Sequence, residues 1–104
     1  MQITLRYFDG CPNWTTTDRR LVELVGDRED TTITRHRVES AEEAQELRFP
    51  GSPTILIDDV DPFAEPLAPV GLACRVYRAD GAPAGAPSLE QLRIAIDTAR
   101  GGAR

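Results

Sequence analysis

Cys11 is the residue of this chain best placed for chemistry. It follows an apolar run that ends at Gly10, and it precedes Pro12, which fits the first position of a helix because no N–H is needed there. The first N–H groups of a helix lack internal partners and carry partial positive charge, so a thiolate at this junction is stabilised. A thiolate attacks disulfides and binds soft metals, whereas a small buried cysteine does neither, and the sequence leaves both interpretations open.

Three other side chains bear on the reactivity of Cys11. Asp9 stands two residues before it and could exchange a proton with the thiol or, the interpretation we favour, cap the turn. Trp14 falls on the inward face of the predicted helix, where we expect it in the core, although an indole there could also shield the thiol. The only histidine, His36, lies in a polar strand, so cysteine–histidine catalysis has no evident partner near Cys11.

The second cysteine, Cys74, is expected to lie away from Cys11. Residues 72–78 are predicted to form a strand that starts at the end of the sheet opposite Cys11. A disulfide requires Cα atoms within about 7 Å, and two strand widths of about 4.8 Å each already exceed that distance. We therefore predict Cys74 as a core residue or second thiol, with a Cys11–Cys74 bond as the alternative.

Length and charge restrict the class of protein. The 104 residues suffice for one domain, predicted over residues 1–100 with a frayed tail over residues 101–104. The net charge of −5 at pH 7 disfavours nucleic acid or an anionic membrane surface as a partner. All twelve basic residues are arginine, so Schiff-base catalysis and phosphate-loop lysine chemistry are excluded.

The expected location is cytoplasmic, because no basic and apolar signal segment follows Met1 and no apolar run is long enough to span a bilayer. In a reducing compartment two cysteines favour redox or metal chemistry over a structural disulfide.

No cofactor or metal is implied. The acidic residues from Asp58 to Glu65 lack the spacing of a calcium loop, and we expect them to be solvated. The sequence does not set the oligomeric state.

Periodicity and capping signals predict the element order β-α-β-α-β-β-α. We expect the first two strands to be parallel and the last two to be antiparallel neighbours, within one four-stranded mixed sheet flanked by helices on both faces. Pairs of Ser with Glu or Gln three residues later predict helix starts at Ser40 and Ser88. The predicted elements are strands 3–8, 31–38 (an edge strand), 54–57 and 72–78, and helices 12–25, 40–48 and 88–100.

A cysteine after the first strand, with Gly51-Ser52-Pro53-Thr54 opening a later one, resembles the thioredoxin fold. More narrowly, that segment together with residues 7–13 and 71–77 is similar to a group of small bacterial thioredoxin-like proteins, some labelled alkylmercury lyase. The resemblance covers nearly the whole chain. It implies a thioredoxin-like α/β fold in which a cis Pro53 lies beside Cys11 and the backbone of Ser52 meets a thiol-bearing substrate. Pro53 could instead be only a rigid turn.

The resemblance also sets the expected functions. Trp14 stands where thioredoxins carry the second cysteine of Cys-x-x-Cys, so the first hypothesis is a monothiol exchange protein. In it Cys11 attacks a disulfide, and an external thiol, small molecule or protein, resolves the product. One alternative is binding or cleavage of an organomercurial or soft metal by Cys11 and Cys74, with Asp9 as acid. The other is a non-enzymatic binding module, so whether the chain is an enzyme stays open at this point.

Overall fold

The computed structural model describes residues 1–101, and its secondary structure alternates between strands and helices. The predicted tail beyond Gly101 lies outside the described residues, whereas Gly101 itself belongs to the last helix. In chain order the elements are β1 (Gln2–Tyr7), α1 (Asn13–Val25), β2 (Thr32–Arg37), α2 (Ala41–Leu47), β3 (Thr54–Ile57), β4 (Tyr77–Ala79), β5 (Ala82–Ala84) and α3 (Leu89–Gly101). None of the helices in this range has the length and apolar character of a membrane span.

The main sheet has three strands in the order β2-β1-β3. The central strand β1 runs parallel to β2, with Ile3 opposite Ile33, and antiparallel to β3, with Ile3 opposite Ile57. The parallel pairing of the first two strands and the edge position of β2 are therefore confirmed. β3 matches its predicted bounds because it is a short β-branched run bounded by Pro53.

Helices cover both faces of this sheet. On one face Ile3 and Leu5 of β1 pack with apolar residues of α1, β3 and α3 to form the larger core. Successive side chains of a strand point to opposite faces, and the other face carries a smaller core in which Phe8 contacts residues from and around α2. The members of that smaller core are Val38, Ala44, Phe49, Phe8 and Leu47.

Both capping signals read from the sequence are confirmed. The Ser40 hydroxyl accepts a hydrogen bond from the Glu43 N–H at 3.0 Å and opens α2. Before α3, Gln91 N–H donates to the Ser88 hydroxyl at 3.0 Å and Ser88 N–H donates to Gln91 Oε1 at 2.9 Å. This reciprocal pair satisfies amides that the helix itself leaves unbonded. Pro12 is the N-cap of α1 and not its first helical residue.

The prediction that residues 72–78 form a fourth strand of the main sheet, antiparallel to strand 54–57, is wrong; their one bridge beside β3, between Cys74 and Ser52, is parallel. Residues 58–76 contain no strand, and only the end of the predicted strand 72–78 is extended, as β4. β4 pairs with β5 in a separate antiparallel hairpin around Asp80 and Gly81, both of which have positive φ (55° and 79°). That Asp-Gly turn matches the right-handed twist of a two-stranded ribbon, so the chain folds back on itself there and does not extend the main sheet.

Candidate redox site

The sulfur atoms of Cys11 and Cys74 are bonded, and their Cα atoms lie 5.6 Å apart. The prediction that the two cysteines lie apart, with Cys74 in the core, is therefore wrong. Its premise was that residues 72–78 form a strand starting at the far end of the sheet. Instead, the chain approaching Cys74 returns beside Ser52, at the entrance to β3, and this brings the second sulfur to the first.

The backbone of Ser52 positions Cys74. Ser52 and Cys74 form a parallel β-bridge, in which Ser52 N–H donates to Ala73 O and Arg75 N–H donates to Ser52 O, both at 2.8 Å. The approach is so close that a Cβ on Gly51 would lie 3.0 Å from the backbone of Arg75. Gly51 also has φ +119°, a conformation that side chains disfavour. Glycine at position 51 thus allows the backbone on either side of Cys74 to pair with Ser52.

Cys11 is held at the start of α1. Its N–H donates to Phe8 O at 3.3 Å, and its sulfur lies 3.5 Å from Ser52 O, next to the cis Ser52–Pro53 bond. The first turn of α1 holds no acidic residue, and Pro12 supplies no capping hydrogen bond. The positive end of the helix is therefore not neutralised by its own side chains.

The two sulfur-bearing residues differ in access to solvent. Cys11 is fully buried, with 0% exposure, whereas Cys74 is exposed. Cys74 is therefore the solvent-facing residue of the disulfide. Both backbone hydrogen-bonding groups of Ser52 are already used by residues 73 and 75. The edge that the thioredoxin resemblance assigns to a substrate is occupied by the chain itself in this disulfide-bonded state.

Arg75 anchors the segment that carries Cys74. Its guanidinium donates to Asp61 Oδ2 at 2.8 Å and to the carbonyl oxygen of Phe63, and it lies 4.7 Å from the centre of the Tyr77 ring. The Tyr77 hydroxyl donates to Pro53 O, and burial raises the pKa of Tyr77. The expectation that the whole acidic loop is solvated is therefore wrong for Asp61. The only sequence signal for this cluster was an arginine inside the apolar run 72–77.

The remaining predicted site residues surround the disulfide less closely. The Asp9 carboxylate is 67% exposed and accepts a hydrogen bond from Arg37 Nη1 at 3.0 Å, where a bond from a turn amide was expected. Trp14 is half-buried at the edge of the larger core and stacks on Tyr7, with ring centres 4.1 Å apart. His36 hydrogen-bonds Glu43 at 2.9 Å, on a different part of the surface. The structure thus brings together Cys11, Cys74, Ser52 and Pro53.

No group of three or more His, Cys, Asp or Glu side chains within residues 1–101 is arranged to hold a metal ion. Comparison with known proteins adds no assignment, because no protein-family model, curated protein or solved structure matches the chain. The geometry of the disulfide and its surroundings is therefore the basis for any functional statement.

Proposed function

We propose that this protein is a thioredoxin-like thiol–disulfide exchange protein and that its redox couple is the Cys11–Cys74 disulfide. The observation that carries the proposal is the unequal exposure of the two bonded cysteines, one accessible and one buried at a helix start. The cis proline beside Cys11 and the three-stranded mixed sheet with helices on both faces support the thioredoxin-like assignment. Because both cysteines belong to the chain, the external resolving thiol of the monothiol hypothesis is no longer needed.

Reduction begins at the sulfur of Cys74, the exposed residue of the pair. A thiolate from an external thiol attacks Cys74 Sγ, so that a new sulfur–sulfur bond forms and the Cys11–Cys74 bond breaks. The bonding electron pair leaves on Cys11 as a thiolate, which the positive end of α1 stabilises. A second external thiolate then attacks the external sulfur of the mixed disulfide. The external disulfide is released, both protein sulfurs take up protons, and two external thiols have been oxidised.

Oxidation follows the same path in reverse. Cys74, as the exposed thiol, attacks an external disulfide and carries the mixed disulfide. Cys11 then resolves it, because the two Cα atoms lie 5.6 Å apart, within the range that a disulfide needs. This assigns attack to Cys74 and resolution to Cys11. The preferred substrates are small or extended disulfides that can reach the surface at Cys74.

The test is mixed-disulfide trapping with glutathione disulfide as the probe. Reduced Cys11→Ala protein should accumulate the glutathione adduct on Cys74, and the intact mass should show it. Reduced Cys74→Ala protein should form little adduct, because Cys11 is buried. Wild-type protein should release glutathione and return to the internal disulfide, whereas the Cys11→Ala/Cys74→Ala double variant should do nothing.

A redox titration supplies the decisive outcome. Wild-type protein should pass between the reduced and the disulfide form in glutathione buffers of increasing reducing strength. The proposal fails if the disulfide stays fully formed in every such buffer, or if the adduct forms on Cys11 in preference to Cys74. A bond that never exchanges would indicate a binding module whose disulfide is structural.

The distance of 5.6 Å between the Cα atoms of Cys11 and Cys74 also supports a second function. Two thiolates that can form a disulfide can also bind one soft metal ion between them, and thiolates select such metals. We propose that the reduced protein binds mercury(II) or an organomercurial through Cys11 and Cys74. The exposed, arginine-bonded Asp9 does not favour a buried proton donor for cleavage. Titration of reduced protein with mercury(II) should give one equivalent bound with loss of both free thiols, whereas phenylmercury should consume one thiol per equivalent without release of benzene.

A further inference from the structure

We propose that the chain has a second binding site, for a small monocarboxylate with an apolar body. The site is a cavity of about 440 Å³ between the end of α2, the loop after β3, and the face of the main sheet opposite α1 and α3. Small-molecule sites typically have 300–1,000 Å³, so this one is large enough. The proposal does not rest on the proposed redox function.

The inner wall of the cavity is apolar. Leu47 and Phe49 follow from the end of α2, Leu56 contributes from β3, and Val70 closes the wall from the loop. Phe49 is fully buried and belongs to the smaller core, so this wall is fixed. Such a surface favours a ligand with an aromatic or branched aliphatic body, because it removes that body from water.

Arg6, a residue of β1, is the first reason to expect an anionic ligand in the cavity. Its Nε is buried, and the side chain makes no hydrogen bond to any residue of the described chain. Glu43 acts on Arg6 only through space, since its oxygens are already bonded to His36 and to the N–H of Glu39. A buried guanidinium nitrogen without an acceptor is costly, and a carboxylate in the cavity would supply the acceptor.

Arg48 lies at the same cavity and adds a second guanidinium. As the C-cap of α2 it has φ 51°, so its backbone leaves the helix in the left-handed conformation. Its side chain forms no hydrogen bond or ion pair with residues 1–101. The third arginine of the lining, Arg75, is already paired with Asp61. Arg6 and Arg48 are therefore the two cations available to a ligand.

The acidic residues of the lining restrict the ligand to one negative charge. Asp59 and Glu65 are exposed and line the cavity, and the whole chain carries a net charge of −5. These charges repel a phosphate or a dicarboxylate more strongly than a single carboxylate, which needs only the direct contacts of Arg6 and Arg48. Asp61 contributes little to this repulsion because Arg75 neutralises it.

The experiment is an NMR titration of the ¹⁵N-labelled, disulfide-bonded protein with 4-phenylbutyrate. We expect saturable shifts of the amides of Arg6, Leu47, Leu56 and Val70. The neutral analogue 4-phenylbutyramide and the dianion phenyl phosphate should each bind about tenfold more weakly, the loss expected when a charged hydrogen bond is missing or a repulsion is added. The amide isolates the carboxylate, since it has the same apolar body.

Arginine variants locate the carboxylate. Arg6→Gln and Arg48→Gln should each weaken 4-phenylbutyrate binding by about tenfold, whereas Arg19→Gln, an exposed arginine of α1, should leave it unchanged. Arg48 is exposed, so its variant decides the matter if Arg6→Gln does not fold. The proposal is overturned if the shifts do not saturate, if the amide binds as tightly as the acid, or if Arg48→Gln binds like wild type.

Discussion

Arg75 and Asp61 form a salt bridge of 2.8 Å between side chains that are only 7% and 15% exposed. The two residues lie 14 positions apart, and between them runs a loop whose Leu67 is 95% exposed. Backbone hydrogen bonds also hold the far end of this loop, from Gly71 N–H to Phe49 O and between Ser52 and residues 73 and 75. The salt bridge joins the two ends of the loop and, with these bonds, fixes the position of the disulfide.

Asp61→Asn should destabilise the protein by about 3 kcal/mol, because it leaves the Arg75 charge buried without its partner. The measurement is urea unfolding of the disulfide-bonded protein. Asp97→Asn is the matched control, since Asp97 pairs with Arg93 on the exposed face of α3 and such pairs contribute about 0.5 kcal/mol. Equal effects of the two variants would show that the Arg75–Asp61 pair is not a buried anchor.

Reduction of the disulfide should lower the free energy of unfolding. The bond joins residues 63 positions apart. On the chain-entropy model a loop of this size stabilises the folded state by about 4 kcal/mol. The check is urea unfolding with and without a phosphine reductant. The Cys11→Ala/Cys74→Ala variant should show no response to the reductant, and a wild-type midpoint that stays constant on reduction would contradict the expectation.

Gly51→Ala should be more harmful than Gly81→Ala, although both glycines have positive φ. At Gly81 a new Cβ meets nothing within 4 Å, so only the backbone conformation opposes it and the cost is about 1 kcal/mol. At Gly51 the new Cβ would also lie 3.0 Å from the backbone of Arg75. We expect a loss of about 3 kcal/mol and a smaller fraction of disulfide-bonded protein. Unfolding curves and thiol counts measure both, and similar values for the two variants would disprove the close approach.

Acid should weaken the contact between α3 and the start of β2. The Arg100 guanidinium first, and then the Thr31 hydroxyl, lower the pKa of Asp30 from 3.8 to about 2. Because the folded pKa is the lower one, this stabilisation is fully present above pH 4 and is lost as the pH falls through 2. NMR titration of the Asp30 carboxyl carbon should show this pKa. Asp30→Asn should remove the loss of stability that the wild-type protein shows as the pH falls from 4 to 2. An Asp30 pKa near 3.8 would refute the predicted contact with Arg100.

Much of the fold could be predicted because the signals are local. Ser40 and Ser88 cap their helices through residues three positions away, and the β-branched run of β3 defines a buried strand by itself. Cys11 was located at a helix start for the same kind of reason. These features depend on hydrogen bonds and side-chain patterns within a few residues, which a sequence displays directly.

The position of Cys74 could not be predicted because it depends on contacts between distant parts of the chain. Residues 72–78 have the composition of a strand, yet Arg75 forms a salt bridge with Asp61 and the backbone at Cys74 pairs with Ser52. The spacing of these residues along the sequence predicts neither contact. The Asp80-Gly81 turn was a usable signal for a hairpin, but Pro83 argued against a strand after it.

The disulfide makes residues 11–74 a covalently closed ring, with α1, β2, α2 and β3 inside it and β1 before it. The central strand of the sheet thus lies outside the ring and is paired with two strands that belong to it. A protease that cuts at the prominent Leu67 opens the ring but does not divide the molecule. The two pieces stay joined through sulfur, and they separate on a denaturing gel only after a reductant is added.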